Sequence, residues 1–152
     1  TDLVAGVRTA VATHADWQHT ADLVAEQLRR NLPGPDVLTA AQRLGSPDGY
    51  RSHTLHVEPD GTFSIIALVW RPGQRTRIHD HVTWCVFGVI QGVEHEDLFD
   101  ADLNPLGSSD NHVGDVSGFT LAAAPAPLAP PPTERAGTFA HDSDPSASTW
   151  PA

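Results

Sequence analysis

The chain has 152 residues and a formal net charge of −10, because 19 acidic residues stand against 9 basic ones. This length suits one core-bearing domain, and the acidic balance argues against nucleic acid and anionic membrane surfaces as partners. No apolar run approaches the roughly 20 residues of a membrane span, and a single cysteine excludes an internal disulfide and predicts a reducing, cytoplasmic location.

Residues 1–45 are predicted to be helical. Apolar residues recur at helix-like spacing in a first segment at Leu3, Val4, Val7 and Val11, and in a second at Leu23, Val24, Leu28 and Leu32. The second helix should begin near Asp16 and end at the turn 31–35, which contains two prolines and a glycine. Asp36 is the expected N-cap of a short third helix that runs through Gln42 and is closed by Gly45.

Residues 50–119 are predicted to form strands, because short runs rich in β-branched and apolar residues alternate with turn signals. The predicted strands are Tyr50–Val57, Thr62–Trp70, Thr76–His81, Trp84–Ile90, Val93–Phe99 and His112–Phe119, and Leu103–Asp110 is predicted to be a loop. Helices followed by short antiparallel strands predict an α+β fold, mainly β, whose strands form a sandwich or barrel.

The composition changes after Phe119. Residues 120–152 contain more than half of the 13 prolines, together with many alanines. Such a segment lacks backbone donors for a central sheet and apolar surface for a core. We therefore predict a folded domain over residues 1–119 and an irregular or disordered tail over 120–152.

The most informative motif is Gly73-Gln-Arg-Thr-Arg-Ile-His79-Asp-His81-Val-Thr-Trp-Cys85, which continues to Gly92. Two histidines separated by one residue on a strand point to the same face. Neutral imidazole is a common ligand of iron, zinc, copper and nickel, so His79 and His81 are predicted to share one metal ion. A useful site needs at least a third protein ligand and open positions for substrate.

Several segments together resemble the cysteine dioxygenase family of thiol dioxygenases, which belongs to the cupin superfamily. They are Tyr50-Arg-Ser-His53-Thr-Leu-His56, Gly61-Thr-Phe-Ser-Ile-Ile66, Trp70-Arg-Pro-Gly73, Ile78-His-Asp-His81, Trp84-Cys85, Gln91-Gly92-Val93-Glu94 and Gly114-Asp-Val-Ser-Gly-Phe119. The resemblance covers about residues 1–119. It implies a cupin, that is, a small antiparallel jelly-roll barrel with helices at its N-terminal side.

The resemblance also implies a function: an Fe(II) enzyme that adds both atoms of O2 to the sulfur of a small thiol, such as cysteine or 3-mercaptopropionate, to give a sulfinate. His79 and His81 are then two iron ligands. Cys85 stands where some members of the family form a thioether cross-link to a tyrosine, which is not expected here because the only tyrosine is Tyr50. In some members an arginine at the position of Ser52 holds the substrate carboxylate, so the neighbouring Arg51 is a candidate carboxylate clamp. Cys85 and Arg51 are therefore the candidate catalytic residues.

The third ligand departs from the family's pattern. A second cupin motif begins at Gly114 and holds to Phe119, but residues 120–140 contain no histidine, and His112 and His141 are the only later ones. We consider His141 as a candidate third ligand. Two interpretations of the tail stay open: true divergence, or a change of reading frame after Phe119. Two alternative functions also stay open: a non-catalytic cupin remnant, or another metal cupin that uses His79, His81 and an acidic residue such as Glu94 or Glu96.

Overall fold

A computed structural model describes residues 2–79, 81, 83–119 and 138–141, with the backbone alone described for residues 119 and 138–141. It contains the helices α1 (Asp2–Val11), α2 (Trp17–Arg30) and α3 (Ala40–Arg43) and a 3-10 turn at Pro35–Val37. Its strands are β1 (Arg51–Val57), β2 (Ser64–Val69), β3 (Cys85–Gly88), β4 (Val93–Phe99), β5 (Pro105–His112), β6 (Val116–Phe119) and β7 (Thr138–His141). The predicted α+β organisation, with helices at the N-terminal side and small antiparallel sheets after them, is confirmed in this part of the chain.

The first two helices form where the apolar spacing predicts them. α1 buries Leu3 and Val7, α2 buries Val24 and Leu28, and these residues join one core cluster. The Asp16 side chain accepts a hydrogen bond of 2.8 Å from the backbone N–H of His19, which caps α2. None of the helices in the described ranges combines the length and the apolar composition that a membrane crossing requires.

The short third helix begins later than the sequence predicts. Asp36 lies inside the 3-10 turn Pro35–Val37 and does not cap a helix through Gln42. Thr39 is the N-cap of α3: its hydroxyl accepts from the Gln42 N–H, and the Gln42 side chain accepts from the Thr39 N–H. This reciprocal capping box satisfies two backbone donors, whereas Asp36 lies next to a proline in a tighter turn. Gly45 ends the segment at φ +61°, as predicted.

The strands form two sheets. The larger has five antiparallel strands in the order β1-β2-β7-β3-β6, and the smaller pairs β4 with β5. The bounds of β4 match the prediction, and β1, β2 and β3 lie within the predicted strands. The final predicted strand is shorter, because a turn at Gly114, with φ +95°, separates β5 from β6.

β7 corrects the prediction of an irregular tail for residues 138–141, which form a strand in the middle of the larger sheet. β7 lies between β2 and β3 and pairs with both through its backbone. Residues 138–141 contain no proline, so each can donate a backbone hydrogen bond to a neighbouring strand. The prediction weighted the average composition of 120–152 too heavily and overlooked this proline-free stretch. Residues 120–137 and 142–152 lie outside the described part of the chain.

The predicted strand Thr76–His81 is wrong for the residues that the structure describes there, which are irregular. The physical reason is that the strands before and after this segment, β2 and β3, have no free edge with which it could pair. β2 already pairs with β1 and β7, and β3 with β6 and β7. Residues 76–79 and 81 therefore form an irregular connection between β2 and β3.

The predicted loop Leu103–Asp110 is also wrong from Pro105 onward, where β5 pairs with β4. Almost every residue of β5 is exposed, so the strand forms by backbone pairing and needs no apolar alternation. The connection between the strands is an Asx turn, in which an Asp100 carboxylate oxygen accepts from the N–H groups of Asp102 and Asn104.

The five-stranded sheet is covered on both faces. Val86 and Ile65 pack with α1 and α2 in the first core cluster. Cys85, Phe87 and Val89 form a second cluster with Ile66, Leu68 and Leu98. Because Leu98 belongs to β4, the two-stranded sheet covers the face opposite the helices.

Phe87 is fully buried at 0% exposure in this second cluster. We expect Phe87→Ala to lower the free energy of unfolding by about 3–5 kcal/mol, because it removes a large apolar side chain and leaves a cavity. Urea unfolding measures this change, with Phe87→Leu as a control that removes fewer buried atoms and should therefore cost less than Phe87→Ala. Equal midpoints for Phe87→Ala and the wild type would contradict the assigned core.

A cluster of three ionisable side chains, Arg8, Glu58 and His56, connects α1 with the end of β1. Arg8 donates to both carboxylate oxygens of Glu58 at 2.8 and 3.0 Å, and His56 Nε2 lies 2.8 Å from Glu58 Oε2. The Glu58 side chain is 10% exposed. Hydrogen bonds from Arg8, followed by that from His56, lower the pKa of Glu58 below its usual value.

This lowered pKa predicts a pH-dependent stability. The stabilisation from ionised Glu58 is fully present above the pKa of about 4.3 of the unfolded chain, and it is lost as the pH falls through the lower pKa of the folded state. The melting temperature of Glu58→Gln should therefore fall below that of the wild type at pH 7, and the gap should narrow as the pH falls below about 4. Thermal unfolding from pH 3 to 8 measures the gap, and a gap independent of pH would contradict the assignment.

Candidate metal site

The irregular segment that carries the two histidines is anchored at its start. The turn at Arg71–Gln74 is closed by the Gln74 N–H donating to the Arg71 carbonyl at 3.0 Å. The Gln74 side chain accepts from the Arg71 N–H and donates to the Ser46 carbonyl at 2.7 Å. Gly73 has φ +82°, a conformation that favours glycine. These bonds fix the start of the segment, although it does not belong to a sheet.

His79 and His81 lie together. Their ring centroids are 5.0 Å apart and their planes are inclined at 60°, and both side chains are half-buried. His79 Nδ1 lies 2.8 Å from the Arg77 carbonyl oxygen. Because a carbonyl can only accept, Nδ1 carries the proton, and in the neutral ring Nε2 carries the lone pair. A backbone carbonyl that fixes the tautomer in this way is typical of histidines that bind metals through the other nitrogen.

Cys85 follows the pair at the start of β3. It is 3% exposed and packs in the second core cluster, on the face of the sheet that β4 covers. Tyr50, the only tyrosine of the chain, stacks on Trp70 with ring centroids 4.4 Å apart. Position 85 therefore holds a small side chain buried in the core.

The third candidate ligand, His141, lies at the end of β7. Its Cα partners are Ser64 in β2 and Cys85 in β3. Residues that are partners across neighbouring strands occupy one row of a sheet and the same face. The backbone register therefore places position 141 in the same row as Cys85. Cys85 itself follows His81 by four residues in the chain. Among the side chains that the structure describes, no group of three His, Cys, Asp or Glu residues is arranged to hold a metal; the side chain of His141 lies outside them.

Arg51, considered as a carboxylate clamp, lies at the surface. Its Nη2 donates to Ser46 Oγ at 2.9 Å and lies 4.0 Å from Asp48 Oδ2, and the side chain is 54% exposed. The structure therefore places this guanidinium against the turn before β1 and away from the buried face that carries Cys85. His112 is exposed at the end of β5, where its N–H donates to Asp115.

Two glutamates of β4 are buried, as few carboxylates are. Glu94 is 6% and Glu96 2% exposed. Asn111 donates to Glu94 Oε2 at 2.6 Å, and Ser109 Oγ lies 3.4 Å from Glu96 Oε2. They alternate with exposed residues and share the strand face of Leu98, which packs on the five-stranded sheet. The alternative ligands named from the sequence are therefore on the covered face of the small sheet.

The sequence did not reveal an exposed cluster around His95. Its Nδ1 lies 2.6 Å from Asp110 Oδ1 and its Nε2 lies 3.2 Å from Asp97 Oδ1. Asp110, followed by Asp97, raises the pKa of His95 above its usual value by hydrogen bonding. Asp110 is the cross-strand partner of His95, so a correct prediction of β5 would have brought the two together.

The geometry therefore brings together His79 and His81, puts Cys85 in the covered core, and aligns the backbone of His141 with Cys85. Arg51 is not part of this arrangement. No protein-family model matches the chain, so these residues and their surroundings carry the functional argument.

Proposed function

We propose that the protein is a cupin of the thiol dioxygenase class, which uses Fe(II) and O2 to oxidise a small thiol to its sulfinate. The observation that carries the proposal is the pair of imidazole rings 5.0 Å apart, with the His79 tautomer set by the Arg77 carbonyl. The packing of the five-stranded sheet supports the proposal, because helices cover one face and β4 packs on the other. A jelly-roll barrel is the proposed interpretation of this arrangement.

His79, His81 and His141 are the proposed ligands. Three neutral imidazoles suit ferrous iron in donor type and leave coordination positions for substrate. They also leave the positive charge of the ion uncompensated, which favours an anionic thiolate as substrate. Iron, when bound, supplies the electron chemistry by which RSH and O2 give RSO2H. The Arg77 carbonyl holds the proton of His79 at Nδ1, which presents Nε2 to the ion. The buried apolar cluster around Cys85 and Phe87 lies beside position 141 in the sheet and would keep water from that position.

Oxygen uptake by iron-loaded protein tests the proposal. Purified protein is loaded with Fe(II) under anaerobic conditions, and O2 consumption is measured with cysteine and with 3-mercaptopropionate. We expect near-stoichiometric iron, thiol-dependent uptake and a product heavier by two oxygen atoms in mass spectrometry. Folded protein that retains no metal would overturn the proposal and favour a non-catalytic cupin remnant.

A second candidate function is a metal cupin that uses His79, His81 and either Glu94 or Glu96. The burial of both carboxylates on the covered face of β4 favours it. A site with two histidines and a carboxylate suits several divalent metals. Retention of zinc, nickel or manganese with no oxidation of thiols is its expected signature in the same experiment.

A further inference from the structure

We propose that the protein has a second binding site, distinct from the histidine pair, for a small carboxylate with an apolar body. The site is a cavity of about 560 Å³ between the Arg71–Thr76 segment and the Val89–Val93 segment. Its volume is within the range of small-ligand pockets, which is about 300–1,000 Å³. None of His79, His81 or Cys85 lines it, so a ligand there does not need a metal bound by the three histidines.

The charges of the cavity point to an anion. The chain has a net charge of −10, and all 9 of its basic residues are arginines; yet Arg43, Arg71 and Arg75 line this one cavity. Such a concentration of guanidinium groups favours a ligand with a planar anionic group, because a guanidinium matches a carboxylate in a bidentate fashion.

Arg71 and Arg75 use neither terminal NH2 group on a residue within the described ranges, whereas Arg43 uses one. Arg43 is held in place, because its Nη1 donates to the carbonyls of Pro35 and Leu38. Arg71 uses Nε to reach the Leu44 carbonyl at 3.1 Å, which fixes the side chain and leaves its terminal NH2 groups to donate. Arg75 makes no hydrogen bond or ion pair to any residue within the described ranges. Arg71 and Arg75 are therefore the proposed carboxylate ligands.

The remaining walls define the rest of the ligand. Leu38, Leu68, Trp70, Val89 and Ile90 supply apolar surface, which suits a hydrocarbon or aromatic body. The acidic lining residues are engaged elsewhere: Glu94 accepts from Asn111, and Asp97 faces His95. We therefore infer a monoanion and not an amine as the occupant.

Phenylacetate, its neutral analogue phenylacetamide and the cation phenethylamine are suitable probes for titration calorimetry on the full chain without metal. We expect saturable binding of phenylacetate only, weakened about 10-fold in Arg71→Gln and again in Arg75→Gln, since hydrogen bonds to charged groups are the strong ones. Arg29→Gln, on the exposed side of α2, should bind phenylacetate like the wild type.

Each remaining outcome decides against the site. Equal binding of phenylacetamide, tighter binding of phenethylamine, or full affinity in the Arg71→Gln/Arg75→Gln variant would overturn the proposal. Loss of phenylacetate binding in His79→Ala/His81→Ala would place the ligand at the histidine pair and would also overturn it. Circular dichroism verifies that each variant is folded, so that a negative result cannot arise from unfolding.

Discussion

His81→Ala is expected to abolish retention of iron and, with it, thiol-dependent oxygen uptake. Losing a residue that only orients a ligand already costs roughly 10–100-fold in metal affinity, so removal of a ligand should cost about 100-fold or more. His79→Ala should have the same effect, because the two rings are neighbours. Iron content per chain after dialysis, and the dissociation constant by chelator competition, measure the change.

His19→Gln is the matched control, since His19 is exposed on α2 and should leave iron content unchanged. Two further variants identify the third ligand. If the site lies in the row that position 141 shares with Cys85, His141→Ala should also lose iron. Glu96→Gln should then change the affinity for iron by no more than a few-fold. Loss in Glu96→Gln with retention in His141→Ala would replace the three-histidine proposal by the site with a carboxylate. Full retention of iron by both His79→Ala and His81→Ala would refute either version.

Ala140→Pro is expected to open the five-stranded sheet. Ala140 pairs with Ile65 on one side and Val86 on the other, and a proline there removes a backbone donor and clashes within the ladder. An unsatisfied buried acceptor alone costs about 1–3 kcal/mol, and the exposed edges of β2 and β3 add a tendency to aggregate. Denaturant unfolding and size-exclusion chromatography should show lowered stability and larger species.

Ala140→Ser keeps the N–H and nearly the same volume, so it serves as the control and should remain monodisperse to the same extent as the wild type. If Ala140→Pro unfolds at the same denaturant concentration as Ala140→Ser, β7 is not a central strand. The outcome also bears on the metal site, because a strand that cannot pair cannot hold His141 in the row of Cys85.

The sequence predicted most reliably the elements whose residue pattern shows which of their faces is buried. α1 and α2 show an apolar stripe because one face of each packs on the sheet. The bounds of β4 were also predicted correctly, although its buried residues are the charged Glu94 and Glu96 and its first residue, Val93, is exposed. The histidine pair was predicted from spacing alone. The rings do lie together, although the strand that was to place them on one face is not formed.

The remaining elements depend on pairing, which a single sequence does not display. β5 is exposed along most of its length, so its composition resembles that of a loop, and only its ladder with β4 makes it a strand. β7 was overlooked for a different reason: its four residues follow a segment rich in proline and alanine, which the prediction treated as one irregular tail. Residues 76–79 have a strand-like composition, but the strands next to them in sequence, β2 and β3, are already paired on both sides.

The position of β7 has a consequence for how the chain folds during synthesis. All the other described strands leave the ribosome before residues 138–141, yet β2 and β3 can be joined only through those residues. The nascent chain must therefore keep two half-sheets apart, each with an open edge, until residues 138–141 have been translated. Such long-range closure is slow compared with helix pairing, so we expect the growing polypeptide to depend on chaperones at this stage more than the finished protein does.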